Sequence, residues 1–155
     1  MTSQLAFLPT APRLARLPIT VGALRRLRAE ARRLRARLQA GLPTVSAGGE
    51  LVPVTEVADA ALDLHRLHAI DAALDAAVVV EADGMAIVGS RLTVLEADDT
   101  RVVLALVPPG LAVPGAGRIS PDSPLGEALL GRRAGDRCRV SAPAGTREIV
   151  ILEVH

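Results

Sequence analysis

Aromatic residues are nearly missing from this chain: it has no tryptophan or tyrosine, and Phe7 is its one phenylalanine. A site that works through stacked rings, around a proline or against a nucleobase, needs a cluster of them, which argues against a proline isomerase and a base-stacking platform. The core must be built from Leu, Val, Ile and Ala, within a hydrophobic fraction of 50%. Cysteine is as scarce. With Cys138 alone, the chain can form no internal disulfide or thiolate metal cluster, which suits a reducing cytoplasm. Lysine is absent, so every basic residue is Arg, a choice that reflects base composition more than function. The formal net charge of +1 gives no global attraction to nucleic acid or to an anionic membrane. No apolar run approaches the ~20 residues of a membrane-spanning helix. The first residues lack the apolar core of a secretory signal. A chain of 155 residues makes one or two small domains.

What the chain does have is pattern. Residues 1–18 contain Pro9, Pro12 and Pro18 with little periodicity and read as a flexible tail; Arg13 and Arg16, without acids nearby, leave a targeting peptide as the other reading. From Thr20 to Ala40, Leu24, Leu27, Ala31, Leu34 and Leu38 recur every three or four residues. That is the seam of an amphipathic or coiled-coil helix, with Thr20 as N-cap and Gly41 as stop. Such a helix is about 30 Å long at 1.5 Å per residue. After a Pro/Gly-rich loop, a second helix is predicted from Glu56 to about Ala77, capped by Thr55. Its seam is Val57, Ala60, Leu64, Leu67, Ile70, Leu74 and Ala77, with a slip in register near Leu67 to Ile70.

The outer faces of the two helices differ in sign. The first carries Arg25, Arg26, Arg28, Arg32, Arg33, Arg35 and Arg37 against Glu30 alone, and the second carries Glu56, Asp59, Asp63, Asp71 and Asp75 against Arg66. Antiparallel pairing buries both seams and sets opposite charges along the flanks, whereas pairing with a second copy of the same helix would set like charges together. An antiparallel coiled-coil hairpin over 19–78 is therefore expected, in preference to two core helices of one globule. The acidic partner also neutralises the Arg-rich helix as a DNA-binding element.

The second half reads as β structure, with strands at Val78 to Val80, Met85 to Val88, Arg91 to Leu95 and Arg101 to Val107, and a turn at Asp98-Asp99. Two more strands, Arg137 to Ala142 and Arg147 to Val154, flank a turn at Pro143-Ala144-Gly145-Thr146. Between these groups, RISPDSPLGEALLGRRAG (118–135) nearly forces its own structure. Pro121 and Pro124 bias Ser120 and Ser123 to extended backbone. Ser123 is then an N-cap with Pro124 at the first helical position, Glu127 lies near the positive end of the dipole, and Gly131 ends a short helix. The fold class is α+β: the hairpin, then an antiparallel sheet domain with one short helix over 79–155.

The run GRISPDSPLGEALLGRRAGDRCRVSAPAGTREIVILEVH resembles the C-terminal domain of the Gre transcription factors. Their signature is I-S, then S-P-(L/M)-G-x-A-L-(L/I)-G, then G-D, then P-x-G before a final strand. The opening RLPITVGALRRLRAE is similar to the start of that family as well. The resemblance implies an FKBP-like fold for the C-terminal domain, carried behind a coiled-coil hairpin, in a cytoplasmic and monomeric protein. It implies that this domain docks on bacterial RNA polymerase at the mouth of the secondary channel, with Ser120, Ser123, Pro124, Leu125, Gly126, Leu129, Arg132 and Arg133 as the matching positions. The hairpin then points toward the active centre, where acidic tip residues help the polymerase hold a second Mg²⁺. The polymerase would be the enzyme, and the factor would need no cofactor of its own.

The departures from the family pattern fall at the tip. A cleavage factor presents Asp and Glu in a D-L-x-E setting; here Glu50-Leu51 is followed by Val52 and Pro53, and the next acids are Glu56 and Asp59. Glu50 alone would be a weak Mg²⁺ ligand. The expectation is a factor that modulates or inhibits elongation, with a cleavage-stimulating factor using Glu50 with Glu56 or Asp59 as the alternative within the family. A proline isomerase or peptide-binding module is the alternative of another class. A further departure is Leu111-Ala112-Val113-Pro114, where the family often has an E-A-D-P run. His65 and His68, three apart, read as solvated helix residues without enough partners for a metal; Cys138 reads as core and Asp136 as a turn residue. Arg132-Arg133 fits either a solvated surface or a contact with polymerase.

Overall fold

The structure is a computed structural model, and it describes residues 16–41, 54–142 and 145–155. Two long helices form as expected, α1 (Val21–Gly41) and α2 (Val54–Ala76). Thr20 caps α1: its Oγ1 accepts from the Ala23 N–H at 3.1 Å and its carbonyl from Leu24 N–H at 3.0 Å. Thr55 does not cap α2, because the helix already begins at Val54.

Along α1 the buried stripe is Ala23, Leu27, Ala31 and Leu34, with Leu24 and Leu38 half-buried; along α2 it is Leu67, Ile70 and Ala73. Among the described residues three ion pairs bind the flanks, Arg35 to Asp71 at 2.6 Å, Arg37 to Asp63 at 2.9 Å and Arg66 to Glu30 at 2.5 Å. The segment just before α1, Leu17–Ile19, pairs with the segment just after α2, Ala77–Val79, which sets the start of one helix beside the end of the other and makes the pair antiparallel. The hairpin expected from periodicity and charge is present.

Its acidic arm departs from the expected seam. Val57 and Leu64 are 55% and 45% exposed. At the position that turns inward stands Asp63, whose side chain is only 17% exposed and accepts from Arg37 Nη1 at both carboxylate oxygens. The carboxylate takes a place where Leu64 was expected, and its charge is matched there instead of being left in an apolar seam.

Ahead of α1, Leu17 and Pro18, expected in the tail, lie in strand β1 (Leu17–Ile19), which pairs in parallel with β2 (Ala77–Val79) directly after α2. Leu17 and Ile19 are buried at 2% and 0%. Apolar side chains at both ends of a short strand make it a strut under the hairpin, which is why proline-rich surroundings did not leave it loose. Met85 to Val88, expected as a strand, contributes only isolated bridges, Ile19 to Val88 and Met85 to Arg133.

The C-terminal part is a five-stranded sheet: β3 (Arg91–Leu95), β4 (Arg101–Leu106), β5 (Arg118–Ile119), β6 (Arg137–Ala142) and β7 (Gly145–Val154), in the order β5-β4-β3-β7-β6. Three of its pairings are antiparallel, but β4 and β5 run parallel, so the sheet is mixed where an antiparallel one was expected. The reason is the Pro/Gly loop 107–117, which carries the chain back to start β5 beside the end of β4 in the same direction. The turn at Asp98-Asp99 forms, with Asp99 at φ 61° and Thr100 N–H donating to Asp98 Oδ1. Helix α3 (Pro124–Leu129) packs on this sheet.

Two apolar clusters result among the described residues. One joins Leu17, Ile19, α1 and α2 to Val88 and Leu111; the other lies between α3 and the sheet and includes Ala86, Leu92, Leu129, Cys138 and Ile151. Ala86 and Val88, two positions apart, belong to different clusters, so the segment between them stitches the hairpin root to the sheet.

Candidate docking face and hairpin

The signature stretch builds its face from caps and close approaches. Ser123 has extended backbone (φ −80°, ψ 154°), and its Oγ accepts from Gly126 N–H at 3.1 Å while donating to Ser120 O at 2.7 Å. Pro124 occupies the start of the helix, where a missing N–H costs nothing. Gly126 is buried, and a Cβ there would lie 1.9 Å from Ser120 O, so only glycine lets the turn at Ser120 close over the helix. Gly131 follows the C-cap Leu130 at φ 75°, and its N–H donates to Ala86 O at 2.7 Å.

These contacts divide the matching positions into two sets. Pro124, Arg132 and Arg133 are exposed, and Ser120, Ser123 and Leu125 half-buried; they stand at or near the surface. Gly126 and Leu129 do not: Leu129 has 0% exposure and sits in the sheet core, so these two shape the face from beneath, a correction to their expected place on it. Arg133 is already engaged. Its guanidinium donates to Asp83 O at 2.6 Å and Asp83 Oδ2 at 3.2 Å, tying the segment after α3 to the 81–85 turn. Arg132 makes no side-chain hydrogen bond or ion pair among the described residues and is the freer cation of the two.

Asp136 Oδ2 accepts from Arg133 N–H at 2.8 Å, the turn role expected of it. Cys138 is buried, and that burial pushes its thiol above the ordinary value, so it rests as an unreactive core residue. His65 and His68 are exposed on α2. No group of three or more His, Cys, Asp or Glu side chains gathers among the described residues.

At the other end of the hairpin, Glu56 lies in the first turn of α2 and Asp59 one turn on, both exposed and on neighbouring positions of one face. Glu50 and Leu51 lie outside the described residues. The root of the hairpin was not anticipated from the residues alone. There Gly89, at φ 101°, presses its backbone against Ala23 and Thr20, Thr20 N–H donates to Val88 O at 3.1 Å, and Arg26 Nη2 reaches Gly89 O at 3.3 Å. The signal was available only as a lone glycine after an apolar run.

The class this geometry defines is a finger of two oppositely charged helices, rooted by a small parallel strand pair in a mixed-sheet domain with one capped helix. Residues 81–155 match the family described as transcription elongation factor, GreA/GreB, C-term. A transcription elongation factor GreA of Chloroflexus aurantiacus is 39% identical over 95 residues, covering 58% of this chain and 60% of that protein. One from a Roseiflexus species is 36% identical over 69 residues, covering 44% of each. The chain thus spans less than two thirds of the length of these relatives. The crystal structure of GreA factor homolog 1 (Gfh1) of Thermus thermophilus is similar at 25% identity, over 90% of this chain and 99% of that one, with a TM-score of 0.42. The sheet domain, residues 81–155, is thus a GreA/GreB C-terminal domain. No helix among the described residues is long and apolar enough to cross a membrane.

Proposed function

We propose that this chain is a transcription elongation factor of the cytoplasm that binds bacterial RNA polymerase as a monomer, with its sheet domain at the mouth of the secondary channel and its hairpin directed inward. The observation that carries this reading is the rooted finger: α1 and α2 are paired by charge along their flanks and fastened to the family domain by β1, β2 and Val88. A fastened finger can transmit a docking position to a distant tip, which a loosely tethered one cannot. Pro124, Leu125 and Arg132 are the contacts offered to the polymerase, with Ser120 and Ser123 holding their turn.

Catalysis belongs to the polymerase in this reading. Mg²⁺ demands near-octahedral oxygen ligation, and Glu56 and Asp59 are donors of the right kind but too few to hold the ion alone. Glu50 would lend one carboxylate to an ion held by the polymerase, and Val52 and Pro53 stand where a second acid would be required. The chain therefore modulates or inhibits elongation without efficient transcript cleavage.

The test is an assay with purified polymerase. The protein should bind the core enzyme and slow elongation, while leaving RNA in backtracked complexes unshortened. Rapid shortening that disappears in Glu50→Ala and Glu56→Ala would establish the cleavage-stimulating alternative instead. Failure to bind polymerase, together with acceleration of peptide-bond isomerisation, would replace the reading with the proline-isomerase one.

A further inference from the structure

Between the hairpin root and the sheet lies an open cleft of about 860 Å³, within the ~300–1,000 Å³ typical of small-ligand sites. Its walls carry four guanidinium groups, those of Arg26, Arg66, Arg91 and Arg118, against one side-chain carboxylate, Glu30, and His155, whose ring meets Glu153, lines it as well. Arg66 is spent on Glu30. Among the described residues Arg26 makes only the 3.3 Å bond to Gly89 O. Arg91 on β3 and Arg118 on β5 make no side-chain hydrogen bond or ion pair among the described residues. The first turn of α1, which forms part of the wall, holds no acid to offset the positive end of its dipole. Leu106 and Leu111 give the cleft a buried apolar floor.

Cations gathered around one cavity repel each other, and an anion among them relieves that repulsion. A single carboxylate would leave two of the three available guanidinium groups unmatched. A diphosphate offers several oxygens, each able to take the paired N–H donors of an Arg. We infer that this cleft is a binding site for a small diphosphate-bearing molecule, held by Arg26, Arg91 and Arg118. Since Arg26 belongs to α1 and the other two to the sheet, an occupant bridges finger and domain and stiffens their joint. The inference does not depend on polymerase binding and is tested without it.

Titration calorimetry on the full chain uses inorganic pyrophosphate in one arm and guanosine diphosphate in another, in magnesium-free buffer. Saturable binding with one site per chain is expected. It should weaken at least about tenfold in Arg91→Gln/Arg118→Gln, a fall equivalent to about 1.4 kcal/mol, with the unfolding midpoint in the absence of ligand unchanged. Equal affinity in the two arms assigns recognition to the diphosphate alone, and tighter guanosine diphosphate binding assigns part of it to the apolar floor; both uphold the site. Should the double variant unfold, amide resonances of wild-type Gly22 and Gly89 decide, because both line the cleft and must shift on titration. Absence of saturable binding at millimolar ligand, undiminished affinity in the folded double variant, or shifts confined to other residues would overturn the inference.

Discussion

Gly89 and Gly22 show how one residue type is required at one site and replaceable at another. A methyl group at Gly89 would come within 2.3 Å of Ala23 Cβ and 2.6 Å of Thr20 Oγ1, at a φ of 101° that side chains rarely adopt. Gly89→Ala is expected to destabilise by about 1–3 kcal/mol through strain and overpacking, read as a lower urea midpoint at unchanged slope. Gly22 lies in α1 with nothing nearer its missing Cβ than an Arg26 side-chain atom at 3.5 Å, so Gly22→Ala should be neutral or gain up to about 1 kcal/mol from reduced chain entropy. Equal effects at the two sites would contradict the packing described at the root. Asp98 supplies a test with pH. The Thr100 N–H holds its carboxyl below the ordinary value, so the contribution is present above the unfolded pKa and is lost as pH falls through the folded one. A carboxyl carbon titration by NMR should therefore find a lower midpoint for Asp98 in the folded chain than in urea.

At the scale of elements, the hairpin is held by a short apolar stripe and by charge. Leu34 is 4% exposed between the arms, and Leu34→Ala should cost about 2–5 kcal/mol, as core truncations do. The Arg37 to Asp63 pair is partly open to water, with the Arg side chain 68% exposed, so its coupling in a double-mutant cycle should be near the 0.2–1 kcal/mol roughly typical of such pairs and should shrink with added salt. A coupling that ignores salt would mean that the charges do not set the pairing. Opposite signs on the two arms were readable from residues 25–37 and 56–75, because charge pattern is a local property. The exposure of Leu64 was not, because helical spacing allows two neighbouring stripes and only the docked partner selects one.

In the molecule as a whole, the finger and the sheet domain share a joint. Ile19 pairs with Val79 and bridges to Val88, while Leu111, from the loop after β4, packs into the hairpin cluster. Linked clusters should melt together. Helix content and the reactivity of Cys138, which sits in the other cluster, are expected to follow one transition in urea, and Ile19→Ala should raise the rate of Cys138 alkylation at a fixed low urea concentration. Two separated transitions would show that the finger is only tethered.

The three helices and strands β2, β3, β4, β6 and β7 were set by the sequence alone, though β1 and β5 were not: periodicity made the long helices, Ser123-Pro124 and Gly131 bounded α3, and alternating β-branched residues made those strands. These are consequences of steric and hydrogen-bonding rules that act over a few neighbouring residues. The parallel pairing of β1 with β2, the parallel β4 and β5, the burial of Leu129 in the sheet core and the gathering of Arg26, Arg91 and Arg118 around one cleft were decided by tertiary structure. Each brings together residues far apart in the chain, and no local rule contains the distance between them.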